Sequence, residues 1–365
     1  MLDELYKYVL EEPNAAFQFV MDKETPTVLY GAGNALYFYV KFLRGHGIEP
    51  YAISDRNAQK MESTELFGIK VKSIDELRNK LGDFRVLITA PKFRKEIRAD
   101  LYAKYSLQNV FEFETEIYVN FIHDIEKYRE FIIDHFEKIE KVYSLFEDDL
   151  SRLTFVNMIK GRISANQDYF TDILVPNQYL QRDLMTFTDS EVMVELGSYD
   201  GETLKEFIDF TNNRFSEIYC FEPDPDCYKK LESQTAGDER IHLLKTGAWN
   251  EKTVLRFNQE ADFGTSKVTD SMNDTIEVPV DTVDHLVKSK VTFLKMDIEG
   301  SEINAIKGAR TLIEDNYPKL AVCVYHNQGD LFEIPLLIKN LNSKYKLYLR
   351  HHNYGATDTV LYARV

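Results

Sequence analysis

The sequence predicts an α/β protein with two Rossmann-like sheets: a smaller N-terminal one, and a larger C-terminal one that is mostly parallel with an antiparallel last strand. Two glycine turns and one alternation lead to this. The first turn follows Val192-Met193-Val194-Glu195-Leu196 as Gly197-Ser198-Tyr199-Asp200-Gly201 and opens a helix-forming run; the second follows Thr27-Val28-Leu29-Tyr30 as Gly31-Ala32-Gly33. A β-branched, apolar run ending in a tight turn and a helix start is the nucleotide-cofactor turn of a doubly wound sheet. Between 191 and 365, apolar runs near 192–196, 216–221, 242–246, 291–296 and 319–324 alternate with helical segments, so most strands are expected to run parallel. Only a short loop with Gly355 separates Lys346–Arg350 from Thr359–Ala363. It is too short for a parallel crossover, and the last two strands must pair antiparallel.

The 365 residues exceed one ordinary domain. The boundaries expected are 1–112 for an N-terminal Rossmann-like domain, 113–190 for a helical connector and 191–365 for the catalytic domain. In the connector, Ile125, Tyr128, Ile132, Phe136, Ile139, Val142 and Phe146 recur at helical spacing between charged residues, the pattern of amphipathic helices that pack between domains. Gln178-Tyr179-Leu180, just before the catalytic domain, is placed to close over its cofactor.

A net charge of −16 argues against nucleic acid and anionic membranes, since both require clustered Lys and Arg. No run approaches the ~20 apolar residues of a membrane span. Met1-Leu2-Asp3-Glu4-Leu5 carries acid where a signal peptide needs base, so a cytoplasmic location is expected. Cys220, Cys227 and Cys323 lack metal-ligand spacing and read as free thiols, and no metal is expected.

Ligands of an open α/β sheet lie beyond the carboxyl ends of the strands. Gly197 permits a sharp turn and Gly201 a close approach of helix and cofactor, with Ser198 between them. Glu195 sits before the first glycine, where it suits a positively charged amino acid tail better than a pyrophosphate. Glu222, at the tip of the second strand, can accept both hydroxyls of an unphosphorylated ribose. Gly247, Ala248 and Trp249 follow the third strand, where backbone or ring can border an adenine; as the sole tryptophan, Trp249 reads equally well as a core anchor. Asp297 ends the fourth strand, and Glu299 and Glu302 behind it also suit the first turn of a helix. His326 ends the fifth strand with Tyr325 before it, and its ordinary pKa of about 6.5 suits a base. His351 and His352 close the sixth strand on the same edge.

These blocks, together with Phe221-Glu222-Pro223-Asp224-Pro225, Lys245-Thr246-Gly247-Ala248-Trp249 and Leu294-Lys295-Met296-Asp297-Ile298-Glu299-Gly300-Ser301-Glu302, resemble in their order the FkbM family of class I S-adenosylmethionine-dependent methyltransferases. The resemblance implies a class I methyltransferase fold, S-adenosyl-L-methionine as cofactor, and methyl transfer to a hydroxyl of a sugar, glycan or related small metabolite. It implies cofactor contacts from Glu195, Gly197, Ser198, Gly201, Glu222, Ala248 and Trp249, catalysis by His326 and Asp297, and substrate contacts from Glu299, Tyr325 and His351. Glu195 and Ser198 stand where the family's first motif often has Asp and Ala, which keeps the charge and the small size.

Residues 26–112 resemble the small Rossmann-like domain that holds a nucleotide-sugar in bacterial sugar N-acetyltransferases. Gly31, Gly33 and Asp55 would then form a second ligand site, with a nucleotide-sugar as a further partner; glycine turns of this kind also occur in domains that merely pack or dimerise, and a dimer is one open oligomeric state. Two rival functions remain at this stage: a nucleotide-sensing scaffold, and an NAD-dependent oxidoreductase, disfavoured by Leu36 at the third glycine position.

Overall fold

The computed structural model describes residues 2–58, 64–258 and 275–365. The chain forms two compact units, one of 1–136, 156–174 and 353–357, the other of 137–155, 175–352 and 358–365. Helices of the 113–190 stretch are therefore shared between the two. The sequence Asp262-Phe263-Gly264-Thr265-Ser266, expected to shape the substrate pocket, lies outside the described residues.

The first unit is built on β1 (Thr27–Tyr30), β2 (Ala52–Ser54), β3 (Glu65–Leu66), β4 (Ile69–Lys70), β5 (Arg85–Ile88) and β6 (Val110–Phe111). Its main sheet has the order β2-β1-β5-β6, all parallel. Val28, Leu29, Val86, Leu87 and Ile88 are buried, as expected of strands covered on both faces. Asp55 folds back on the glycine turn, where its Oδ2 accepts from the Ala32 N–H at 3.1 Å.

The second unit contains β7 (Val192–Leu196), β8 (Glu217–Phe221), β9 (Ile241–Leu244), β10 (Gly247–Ala248), β11 (Thr253–Asn258), β12 (Thr275–Asp281), β13 (Phe293–Met296), β14 (Lys319–Cys323), β15 (Lys346–His351) and β16 (Thr359–Arg364). Seven of them form the sheet β15-β16-β14-β13-β7-β8-β9, in which β16 runs antiparallel to both of its neighbours and the other pairs are parallel. The strand order reverses between β7 and β13, and the crevice of an open sheet lies at that point. Every residue of β7 and β13 is buried, including Glu195 and Lys295, which the register places side by side. The small sheet β10-β12-β11 holds the insertion. Its β12 strand carries Pro279. In the structure β10 pairs only with Val280 and Asp281, so no strand needs a Pro279 N–H on that side.

Helix Glu202–Phe210 starts directly from Gly201 in the left-handed conformation (φ 86°) and packs Leu204 and Phe207 inward. Helix Pro225–Thr235 explains the Glu-Pro-Asp-Pro run. Asp224 caps it by accepting from the Asp226 and Cys227 N–H groups, Pro225 fills the first position, and Glu222 is thereby left at the strand tip.

One partly buried histidine, His352, is expected to make the second unit acid-sensitive. His352 Nδ1 lies 2.9 Å from the Val175 carbonyl, so it carries the proton, and Nε2 accepts from the Tyr362 hydroxyl at 2.9 Å. Burial, with Arg350 nearby, outweighs the Val175 bond and lowers its pKa to about 4. The unfolded chain takes up a proton near pH 6.5 and the folded chain does not, so this contribution is fully present above pH 6.5 and is lost as pH falls towards 4. The expected loss is about 3 kcal/mol over that window. Urea unfolding of the wild type and of His352→Gln at pH 7 and pH 4.5 checks it: the variant should lose clearly less stability on acidification, and equal losses would remove His352 as the cause.

Candidate active site

A cavity of about 1110 Å³ opens at the carboxyl ends of β7, β8 and β13, lined by residues that include Tyr179, Gly197, Ser198, Glu222, Ala248, Trp249, Lys295, Asp297 and Glu299. It exceeds the ~300–1,000 Å³ of ordinary ligand pockets, leaving room for a cofactor and an acceptor together.

The turn after β7 is forced by packing. Gly197 has φ 78°, and a Cβ there would collide with the Asp297 carbonyl oxygen on the neighbouring strand. Gly201 is needed for a different reason from the cofactor approach expected: it does not line the cavity, and a Cβ would meet Gln234 Oε1 at 2.5 Å and Leu231 Cδ2 at 2.9 Å. Glu222 Oε2 accepts from the Tyr199 N–H at 2.7 Å and Oε1 from the Asp224 N–H at 2.8 Å. Each oxygen keeps accepting capacity towards the cavity. Burial raises the Glu222 pKa against these two bonds.

Glu195 does not reach the cavity. It is fully buried beside Lys295, with Nζ 3.6 Å from its Oε1, and Lys295 is the member of the pair that lines the space. Lys295 Nζ also donates to the Gly197 carbonyl at 2.7 Å. Burial opposes the ammonium, but Glu195 and Asp297 outweigh it and raise the Lys295 pKa. The lysine escapes a sequence reading because a charged residue inside an apolar strand is legible only once its cross-strand partner is known.

On the cavity floor the Tyr179 hydroxyl donates to Asp297 Oδ2 at 2.6 Å, and the Tyr325 hydroxyl stands 3.4 Å from Oδ1. Burial would raise the Asp297 pKa, but His326 and Lys295 hold it below the usual carboxylate range. His326 is 1% exposed and outside the cavity lining. Its Nδ1 is 2.8 Å from Glu302 Oε1, and its Nε2 is 3.4 Å from Asp297 Oδ1 and 3.6 Å from Glu299 Oε2. Burial alone would strip the imidazole of its proton; Glu302, Asp297 and Glu299 instead push its pKa up to about 10. An imidazole already protonated at neutral pH does not match the free base expected. Asp330, against the same cluster, is raised to about 7 by burial and by Glu302.

His351 is likewise removed from the cavity: it is fully buried, with Nδ1 2.9 Å from Thr359 Oγ1 across the β15–β16 pair. Trp249 lines the cavity while its backbone N–H donates to the Asp281 carbonyl at 2.9 Å. In the first unit Gly31 adopts φ 123°, where a Cβ would crowd Thr89 and Ala90, and Gly33 faces open space. Four non-glycine residues lining the cavity, Tyr179, Tyr199, Glu299 and Asp358, have positive φ between 47° and 65°. Such backbone costs of order 1–3 kcal/mol each and persists where the surrounding structure holds it, typically at ligand sites.

The strand order, the reversed β16 and the crevice at the β7–β13 switch define the class I methyltransferase fold. Residues 195–354 match the family model described as the methyltransferase FkbM domain. That match covers less than half of the chain and places an FkbM-like methyltransferase domain in the second unit. A crystal structure of methyltransferase FkbM from Methylobacillus flagellatus KT superimposes with a TM-score of 0.77 at 24% identity, covering 99% of this chain and 96% of that one. An rRNA methylase from Streptococcus thermophilus gives a TM-score of 0.31 at 14% identity over 54% of this chain and 92% of its own. Aeropyrum pernix fibrillarin, solved with natively bound S-adenosyl-L-methionine, gives 0.31 at 13% identity over 50% and 70%. Comparison with curated proteins gives no match. Among the described residues no helix is long and apolar enough to cross a membrane.

Proposed function

We propose that the protein transfers the methyl group of S-adenosyl-L-methionine, the cofactor that the match to the FkbM domain implies, to a hydroxyl of a neutral sugar, glycan or related polyol. The observation that carries the reading is the pairing of Glu222 and Lys295 across one cavity. A carboxylate with accepting capacity at the tip of β8 suits the ribose hydroxyls, and an ammonium at the β13 end suits the carboxylate of the amino acid tail. The tight turn at Gly197 brings backbone to the space between them. Lysine 295 thus takes over the end of the cofactor assigned from sequence to Glu195, which keeps that ammonium charged.

The cofactor supplies an activated methyl group on sulfur. What remains for the chain is to hold the acceptor oxygen in line, exclude water and receive a proton. Asp297 lines the cavity and His326 does not, so Asp297 is the group that accepts the acceptor's hydrogen bond. As the C–O bond forms and the C–S bond breaks, the oxygen becomes positive and its proton strongly acidic, so even a weakly basic carboxylate can take it. Tyr179, donating to the other oxygen, keeps the carboxylate oriented. Asp200, Glu202, Glu222, Asp224, Glu277, Asp297, Glu299 and Asp358 line the cavity against Lys245 and Lys295, a charge balance that favours neutral hydroxyl-bearing acceptors over phosphorylated ones.

Calorimetric titration of the full chain with S-adenosyl-L-methionine, NAD and nucleotide-sugars tests the reading. The expected result is binding of the first, weakened about 30-fold, or about 2 kcal/mol, by Glu222→Ala, because hydrogen bonds to a charged group are lost. Unchanged affinity in that variant would remove the ribose assignment; binding of NAD alone would replace the methyltransferase reading.

A further inference from the structure

We propose that the floor of the cavity is a divalent-cation site, with Asp297 and His326 as ligands and Glu302 holding the imidazole from behind, at which the acceptor hydroxyl is held. The proposal rests on reading the cavity as a methyl-transfer site, and it departs from the absence of metal expected from sequence.

First, the three side chains each offer one ligand atom, and these atoms lie within 4.8 Å of one another. His326 Nε2 is 3.4 Å from Asp297 Oδ1. Two ligand atoms each about 2.0–2.1 Å from a shared tetrahedral or octahedral cation stand roughly 3.0–3.4 Å apart, whereas a charge-assisted hydrogen bond is about 2.7–2.9 Å. Second, the ring is oriented from behind: Glu302 Oε1 is 2.8 Å from Nδ1 and also accepts the Ile298 N–H at 3.0 Å. A carboxylate on one imidazole nitrogen turns the other outward and raises its basicity as a ligand. Third, Glu302 is fully buried, and its second oxygen, Oε2, has no hydrogen-bond partner among the described residues. A carboxylate oxygen in that position is costly unless something positive satisfies it. Glu299 adds a further carboxylate 3.6 Å from Nε2, so the negative charge exceeds what one imidazole can balance.

A carboxylate and an imidazole suit manganese, iron or zinc better than calcium. Asp297 borders the cavity while His326 and Glu302 lie beneath it, so the open coordination positions face the acceptor. A hydroxyl bound there would release its proton to water more readily, and Asp297 would then anchor the cation and not act alone on the proton.

The test is titration of the full chain with Mn²⁺ alone, followed by the electron paramagnetic resonance signal of free Mn²⁺, and with Zn²⁺ by calorimetry. The expected result is one tightly held ion per chain, with affinity reduced tenfold to a hundredfold in Glu302→Gln and at least a hundredfold in His326→Gln. Asp297→Asn, at the cavity edge, provides a second ligand deletion should the buried variants fail to fold. If the wild-type chain bound neither ion stoichiometrically, or if all three variants bound as the wild type does, the site would be abandoned. A parallel titration with S-adenosyl-L-methionine separates the two readings: cofactor binding without cation binding overturns the cation site alone, and the converse overturns the methyl-transfer reading.

Discussion

Gly197→Ala is expected to abolish cofactor binding and to destabilise the second unit by about 3 kcal/mol or more. Two penalties add at this position. The residue has φ 78°, which costs an L-amino acid roughly 1–2 kcal/mol, and its Cβ would run into the Asp297 carbonyl oxygen, a backbone atom that no rotamer change can move. Relief requires β7 and β13 to separate at their tips. That separation would break the Asp297 N–H bond to the Leu196 carbonyl at 3.1 Å and the Lys295 bond to the Gly197 carbonyl at 2.7 Å. The cavity floor and its ammonium would then shift together. Thermal unfolding and titration with S-adenosyl-L-methionine check both halves; a variant as stable as the wild type and binding normally would show that the turn tolerates a side chain. Gly33→Ala is the control, since nothing lies within 4 Å of the Cβ there.

What could be read in the sequence follows from which physical signals are local. The central strands β7, β13 and β14 announce themselves because each is a short, mainly apolar run almost wholly buried, and the reversed pairing of β15 and β16 follows from a connection too short to cross over. Glu222, Asp297 and the Gly197 turn were legible because strand tips are where an open sheet presents its ligands. The Glu195–Lys295 pair was not: it depends on β7 and β13 being neighbours in register, and nothing near either residue says so. His351 shows the same limit from the other side. It ends β15, whereas His326 lies in the loop beyond β14, and the partner strand β16 buries it against Thr359. The donation from Tyr179 to Asp297 spans 118 residues. Positive φ at Tyr179, Tyr199 and Glu299 belongs to the same class of non-local information, because tertiary contacts hold the backbone there against its own preference.

Asp297→Asn is expected to lower turnover by about 10²–10⁴-fold while leaving the affinity for S-adenosyl-L-methionine within a few-fold of the wild type. The substitution keeps shape and burial and removes the charge. Its effect on cofactor binding should be small because the ribose and amino acid tail are assigned to Glu222 and Lys295, and neither donates to nor accepts from the Asp297 side chain. Its effect on turnover should be large for two reasons. An amide is a far poorer acceptor for the acceptor hydroxyl's proton, and Oδ2, which now takes the Tyr179 hydroxyl at 2.6 Å, would compete with an NH₂ group for that place. Tyr179→Phe separates these reasons. It leaves the carboxylate in place but removes the bond that orients it, so a loss of tenfold or less is expected, appearing in kcat and not in the cofactor KM. If Tyr179→Phe matched Asp297→Asn in full, orientation would be the whole of the carboxylate's contribution. If Asp297→Asn retained near-normal kcat with a neutral polyol acceptor, the proton would be leaving by another route and Asp297 would be a structural neighbour of His326.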